Sequence, residues 1–316
     1  MLALTGKLHL PNSTTPAPEP AKDTSKPEAN RGPALIGDDA AYIAFDQGKY
    51  LTALKLAEEA AQRGEPQAST LIGRIYEGGF GVAKNEEAAL QAYRTAADLG
   101  DVPAMVSAGV MLASGRGTKK DYPKAAEYFE KAALTGDAIA NYNLGMLFIK
   151  GEGKPENPYR GAKHLLYAAE KGIASAQYDL AALYQHGEGL PNDALEAARW
   201  MKKAADQKLP EAQFEYAVML LRGFGLTVDE PKAVTYLTAA AERGIPGAQN
   251  RLARVLAEGM GTERKPVEAA KWHIIAKASG VKDDQLDVLL TTLPEADRAA
   301  AQKAADKWLI EKELTK

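Results

Sequence analysis

Large apolar side chains return along this chain at a fixed interval. Tyr76, Leu112, Phe148, Tyr184, Leu220 and Leu256 stand 36 residues apart, and Ala68, Ala104, Ala140, Ala176, Ala212 and Ala248 keep the same interval. Glycine does so twice, at Gly79, Gly115, Gly151, Gly187, Gly223 and Gly259 and, two residues on, at Gly81, Gly117, Gly153, Gly189, Gly225 and Gly261. Chance does not hold this many columns in phase without one insertion. Self-similarity at a period of about 20–50 residues marks a stack of repeated units, each too small to bury its own apolar face.

Each period predicts two helices. The first starts near the recurring alanine, and in the third copy Ala140, Leu144, Leu147 and Phe148 fall on one helical stripe. The Gly-x-Gly pair ends that helix, because glycine accepts the left-handed conformation of a tight exit. Asn85, Asp121, Asn157, Asp193 and Asp229 share the next column and predict N-caps for the second helix, with Lys265 replacing the cap in the sixth copy. The second helix sets small residues among larger fillers. Ala89, Ala125, Gly161, Ala197, Ala233 and Ala269 form one small column and Ala96, Ala132, Ala168, Ala204, Ala240 and Ala276 another, with Tyr93, Phe129, Leu165, Met201 and Leu237 between them. Gly100, Gly136, Gly172, Gly244 and Gly280 close the second helix, and Lys208 stands in their column in the fourth copy.

The order Ala-x-x-x-Leu-Gly-x-x-(Leu/Phe/Tyr), Gly-x-Gly, Asp/Asn, Lys-Ala and Ala-Ala-x-x-Gly resembles the SEL-one-like repeat, a relative of the tetratricopeptide repeat with a slightly longer unit. The third copy, AIANYNLGMLFIKGEGKPEN, carries it in full, and the resemblance covers Ala68 to Asp283. It implies an all-α fold, a right-handed α/α superhelical solenoid of two-helix repeats whose first helices line a concave surface. It also implies an adaptor that binds proteins in an assembly or signalling pathway.

Residues 68–283 are therefore expected to be six repeats, with an atypical N-terminal helix pair at 38–67 and capping helices at 284–316. In the leading pair, Ala53, Leu56, Ala60 and Gly64 fall 36 residues before Ala89, Ala92, Ala96 and Gly100. At the other end Leu286, Leu289, Leu290 and Leu293 predict one helix, and Pro294 opens another through Ala301, Ala305 and Trp308. Residues 1–37 read as a disordered Pro-rich tail, since Pro11 to Pro33 offers almost no large apolar side chain to bury. MLALTGKLHL before it reads as the remnant of an export-signal region, which points to the periplasm or cell envelope, with the cytoplasm as the alternative.

Composition removes several kinds of chemistry. The net charge of −3 carries no basic surplus for nucleic acid, and the absence of cysteine removes disulfides, thiolate nucleophiles and thiolate-bound zinc. No apolar run approaches the ~18 residues of a membrane span. His9, His164, His186 and His273 show no ligand spacing; His164 shares its column with Trp200, Tyr236 and Trp272, which suits packing better than proton transfer. The Gly-x-Gly pairs follow helices rather than strands, so they are turns and not phosphate loops. The reading is a non-enzymatic scaffold, with no catalytic residue, metal or cofactor. The alternative is a β-lactamase-like hydrolase of the repeat family, against which stand the absent cysteines and the lack of a Ser-x-x-Lys nucleophile motif with supporting partners.

The register of tetratricopeptide repeats places a partner-binding column on the first helices. Its middle, apolar apart from Gln185, is Val106, Val110, Tyr142, Met146, Ile149, Tyr178, Gln185, Phe214, Val218 and Leu221, while Thr70, Arg74 and Glu77 at one end and Asn250 and Arg254 at the other are polar. Such a column suits an extended or helical peptide, or a protein, with apolar anchors.

Overall fold

The computed structural model describes residues 38–313, in which there are sixteen α-helices and no strand. The tail expected at 1–37 lies outside the described residues. The chain divides into two compact units at Ile173 and Ala174. The first holds α1 (Asp38–Asp46), α2 (Tyr50–Gln62), α3 (Pro66–Gly78), α4 (Glu86–Asp98), α5 (Val102–Ser114), α6 (Tyr122–Leu134), α7 (Ala138–Lys150) and α8 (Pro158–Glu170). The second holds α9 (Ala174–His186), α10 (Ala194–Asp206), α11 (Pro210–Arg222), α12 (Glu230–Glu242), α13 (Pro246–Glu258), α14 (Pro266–Ala278), α15 (Asp284–Thr292) and α16 (Glu295–Glu313). From α1 to α8 and from α9 to α15 each helix packs on the next, in the manner of an α/α solenoid, and α16 packs on α14.

Local chemistry sets where the helices begin and end. Asn85, Asp121, Asn157 and Asp229 each accept the N–H of the residue three ahead, and Asp193 accepts those of Leu195 and Glu196, while Lys265 makes no side-chain cap. The backbone N–H of each of these residues, Lys265 included, donates to the carbonyl of the large apolar column: Asn85 to Tyr76 at 2.9 Å, Asp121 to Leu112 at 2.9 Å and Lys265 to Leu256 at 2.9 Å. The inter-helix turn is thereby fastened even where the cap is missing. Second helices end in two reversed hydrogen bonds, such as Gly100 N–H to Ala97 and Asp101 N–H to Ala96, both 3.0 Å. Lys208 takes the left-handed position with φ 64°, the one non-glycine among the described residues to do so.

The second glycine of each turn has a separate duty. Gly81, Gly117, Gly153, Gly225 and Gly261 lie against Tyr50, Glu86, Tyr122, Ala194 and Glu230, which are the first residues of α2, α4, α6, α10 and α12. A Cβ on Gly117 would overlap the carbonyl oxygen of Glu86, and one on Gly225 that of Ala194. A different small-residue column sets the approach of the two helices within a repeat: a Cβ on Gly73 or Gly109 would meet the Tyr93 ring at 2.6 Å or the Phe129 ring at 2.5 Å.

Both ends close differently from the repeats. At the start, Phe45, Tyr50 and Phe80 form a triangle with ring centroids 5.1–5.3 Å apart. At the end, Asp283 caps α15 through Leu286 N–H and also accepts Asn250 Nδ2 at 2.8 Å and Arg254 Nε at 2.6 Å from α13. Burial alone would raise this carboxyl, but the Arg254, Asn250 and Leu286 donors outweigh it and hold Asp283 down to about 2. Trp272 and Trp308 meet edge to face at 5.9 Å, seating α16 on α14.

The two kinds of glycine separate by substitution. Gly117→Ala combines a positive φ with a backbone overlap and is expected to cost more than about 3 kcal/mol in urea unfolding. Gly100→Ala, also at positive φ but with nothing within 4 Å of its Cβ, is expected to cost only about 1 kcal/mol. Equal losses would remove the packing role assigned to the turn.

Candidate partner-binding face

In the first unit the column expected to bind a partner is closed. Val106 is 0 % exposed, Val110 5 %, Tyr142 0 %, Met146 1 % and Ile149 6 %. All residues from Ala104 to Ala113 in α5 and from Ala140 to Ile149 in α7 are buried, so neither helix offers an open face over those turns. These five side chains are thus core-like rather than an open apolar patch, which the shared column alone could not reveal. The polar end of the column is also engaged. Thr70 Oγ1 donates to Asp101 at 2.7 Å, Glu77 accepts Tyr93 Oη and Arg116 Nη1 at 2.7 Å each, and Arg74 lies 5.1 Å over the Phe45 ring. These contacts tie α3 to α4, to the start of α5 and to the turn after it.

The second unit presents the column in three states. On α9, Tyr178 is buried, and burial, with Glu215 and Asp179 nearby, pushes its phenol above the ordinary value. Gln185 is half-buried, with its Oε1 enclosed and without a hydrogen-bond partner among the described residues. On α11, Phe214, Val218 and Leu221 are half-exposed, and the Phe214 ring lies over Gly247 of α13, whose added Cβ would stand 3.1 Å from it. On α13, Asn250 and Arg254 are taken up by Asp283. The open apolar stripe is therefore Phe214, Val218 and Leu221.

Glu215 stands beside that stripe. Burial raises its carboxyl above the ordinary value, against the pull of Arg222. A group of this kind favours a partner that brings a donor or a cation to it. The sequence reading had not singled it out, because an acidic residue at a single copy of the column leaves no periodic trace.

Two histidines are accounted for by packing. His164 stacks on Phe148 at 5.7 Å and pairs through Nδ1 with Asn141 Oδ1 at 2.9 Å; burial, with Arg160 nearby, holds its ring below the ordinary value. His273 is fully buried and pairs through Nε2 with Asp287, which also accepts Lys277 Nζ at 2.6 Å. Among the described residues no group of three or more His, Asp or Glu side chains is arranged to hold a metal ion, and no helix is long and apolar enough to cross a membrane.

The model of the Sel1 repeat matches residues 66–101, 102–137, 138–173, 174–209, 210–245 and 246–281. The chain is similar to the crystal structure of a Sel1 repeat protein from Oxalobacter formigenes, at 27 % identity and TM-score 0.68, over 78 % of this chain and 98 % of that one. It also shares its fold with a protective antigen of uropathogenic Escherichia coli displaying an SLR fold, at 24 % identity and TM-score 0.54, over 82 % of this chain and 64 % of that one. No match is found among curated proteins.

The raised Glu215 carboxyl has a signed consequence. The folded state holds its proton to higher pH than the unfolded chain does, so stability falls as pH rises from the ordinary carboxylate value through the folded one. Glu215→Gln removes that loss. Its melting temperature is expected to exceed the parent's at pH 7 and to converge with it near pH ~4. A variant less stable than the parent at pH 7 would show that Glu215 has a paired, stabilising role instead.

Proposed function

Because the chain belongs to the Sel1 repeat family, whose members generally serve as protein-interaction scaffolds, we propose that it is a non-enzymatic adaptor of bacterial regulatory or assembly complexes and binds a peptide on the first-helix face of its second unit. The half-exposed stripe of Phe214, Val218 and Leu221 carries this reading. Three large apolar side chains left partly in water on successive turns of one helix fit the anchors of an amphipathic helix or an extended segment. The polar group beside them, Glu215, favours one kind of ligand. Glu215 can accept a Lys or Arg side chain or a donated N–H.

The origin of both similar structures in bacteria supports the bacterial setting. The engaged histidines and the assignment of the glycines to turns support the non-enzymatic reading.

The test replaces Phe214 and Val218 together with serine, leaving buried Tyr178 untouched because its truncation would open a cavity. Parent and variant are used side by side for affinity capture with mass spectrometry, and the recovered partner is then titrated by calorimetry. A folded variant of unchanged helicity is expected to lose roughly tenfold to hundredfold in affinity. Recovery of the same partner at unchanged affinity would reject this face.

A further inference from the structure

One column of the first helices changes sign along the second unit. Asp179 on α9, Glu215 on α11 and Arg251 on α13 stand 36 residues apart, each one residue after the column of Tyr178, Phe214 and Asn250. Asp179 is buried and the other two are half-buried, so none of the three is a freely solvated surface charge.

Arg251 has no acceptor. Among the described residues it makes neither an ion pair nor a hydrogen bond. Arg254 follows one turn on along α13, and Arg222 is the exposed last residue of α11. Burial, with Arg222 and Arg254 nearby, holds the Arg251 guanidinium below its ordinary value, against a smaller pull from Glu258 and Asp283. Neither carboxylate answers it. Asp283 is occupied by Arg254 Nε at 2.6 Å, Asn250 Nδ2 at 2.8 Å and the Leu286 N–H, and Glu258 is exposed. A guanidinium partly withdrawn from water among like charges is stabilised by an acceptor, and a carboxylate matches its planar fork with two parallel hydrogen bonds.

We propose that Arg251, flanked by Arg222, is a carboxylate-binding site at the α13 end of the Phe214 stripe, and that the peptide partner carries an Asp or Glu side chain on that side of its apolar anchors. The site extends the peptide reading of α11, on which it rests, by giving the ligand a charge order. The other end of the same face is acidic, with Glu215, Asp179 and Glu211 all acting on the Tyr178 phenol. A peptide with its base towards α9 and its acid towards α13 is attracted at both ends, and the reverse order is repelled at both. Charge therefore selects which way round the ligand lies, while the apolar side chains supply the anchoring.

The test selects phage-displayed random dodecapeptides against the whole chain and against Arg251→Glu. Parent-selected peptides are expected to carry Asp or Glu beside an apolar cluster, and the charge-reversed variant to select Lys or Arg in that place. The tightest parent-selected peptide is then synthesised with a fluorescein label and titrated by anisotropy. Arg251→Gln is expected to weaken it ~10-fold or more, and Arg251→Lys by less. Arg243→Gln, which removes the same charge from the exposed end of α12, is expected to leave it unchanged. Arg222→Gln, at an exposed position where folding is not at risk, is expected to weaken it in the same direction. Replacing the acid of the peptide by its amide should cost affinity only while Arg251 is present, the sign of a direct pair. Binding abolished by serine at Phe214 and Val218 but indifferent to Arg251→Gln overturns the carboxylate site and leaves the α11 peptide site standing. Binding that needs Arg251 but survives the double serine variant upholds the carboxylate site and removes the stripe as its anchor. A selection in which no peptide depends on Arg251 overturns the proposal.

Discussion

The repeat depends on one close approach. Where the first helix turns into the second, the second glycine of the turn rests on the opening residue of the preceding second helix, as Gly117 does on Glu86 and Gly225 on Ala194. Backbone meets backbone there, and no side chain fits between. A contact of this sort sets both distance and register, because neither partner has a rotamer that could yield. It explains why the period tolerates no insertion: one added residue would carry the turn off the helix start it must cover. The leading helix pair obeys the same rule despite its compressed turn, since Gly81 abuts Tyr50, the first residue of α2.

Much of this was legible in the sequence because backbone demands are met by few residue types. Glycine at the turns, Asp or Asn at the second-helix starts and alanine in the close-packed columns each leave a periodic mark, and the structure puts those residues where the pattern placed them. Lys208 shows the same rule through its exception: it adopts the left-handed conformation that glycine adopts at equivalent positions. The caps of the first helices were missed. Asp101 and Asp137 accept Ala104 N–H and Ala140 N–H, but Ile173, Leu209 and Ile245 occupy their column in later copies, so no periodic signal survives. Asp101 also takes the hydroxyl of Thr70, a tie between repeats that only the folded chain discloses.

Packing columns show a compensation that is easier to explain than to foresee. Tyr93 and Phe129 lie against Gly73 and Gly109, where an alanine would collide with the ring. In the second unit the same two columns hold Met201 with Ala181 and Leu237 with Ala217. In these four copies a smaller or more flexible filler coincides with the larger first-helix residue, while the third copy sets Leu165 against Gly145, where the Gly161 carbonyl also approaches. The sequence displays both columns but does not say that they face each other.

The partner-binding column was the least legible part, and the reason is physical. Periodicity identifies residues in equivalent backbone positions; it carries no information about what lies over them. Tyr142, Met146 and Ile149 satisfy the same apolar description as Phe214, Val218 and Leu221, yet one set is removed from water and the other is not. Because the repeat contacts within each unit are met by backbone, caps and small residues, variable first-helix side chains that stay partly exposed, such as Phe214, Val218 and Leu221, are not needed to hold the register. The proposed recognition face accordingly falls where the repeat is least regular, at apolar groups such as Phe214 and a single half-buried carboxylate, Glu215, that the period neither requires nor repeats.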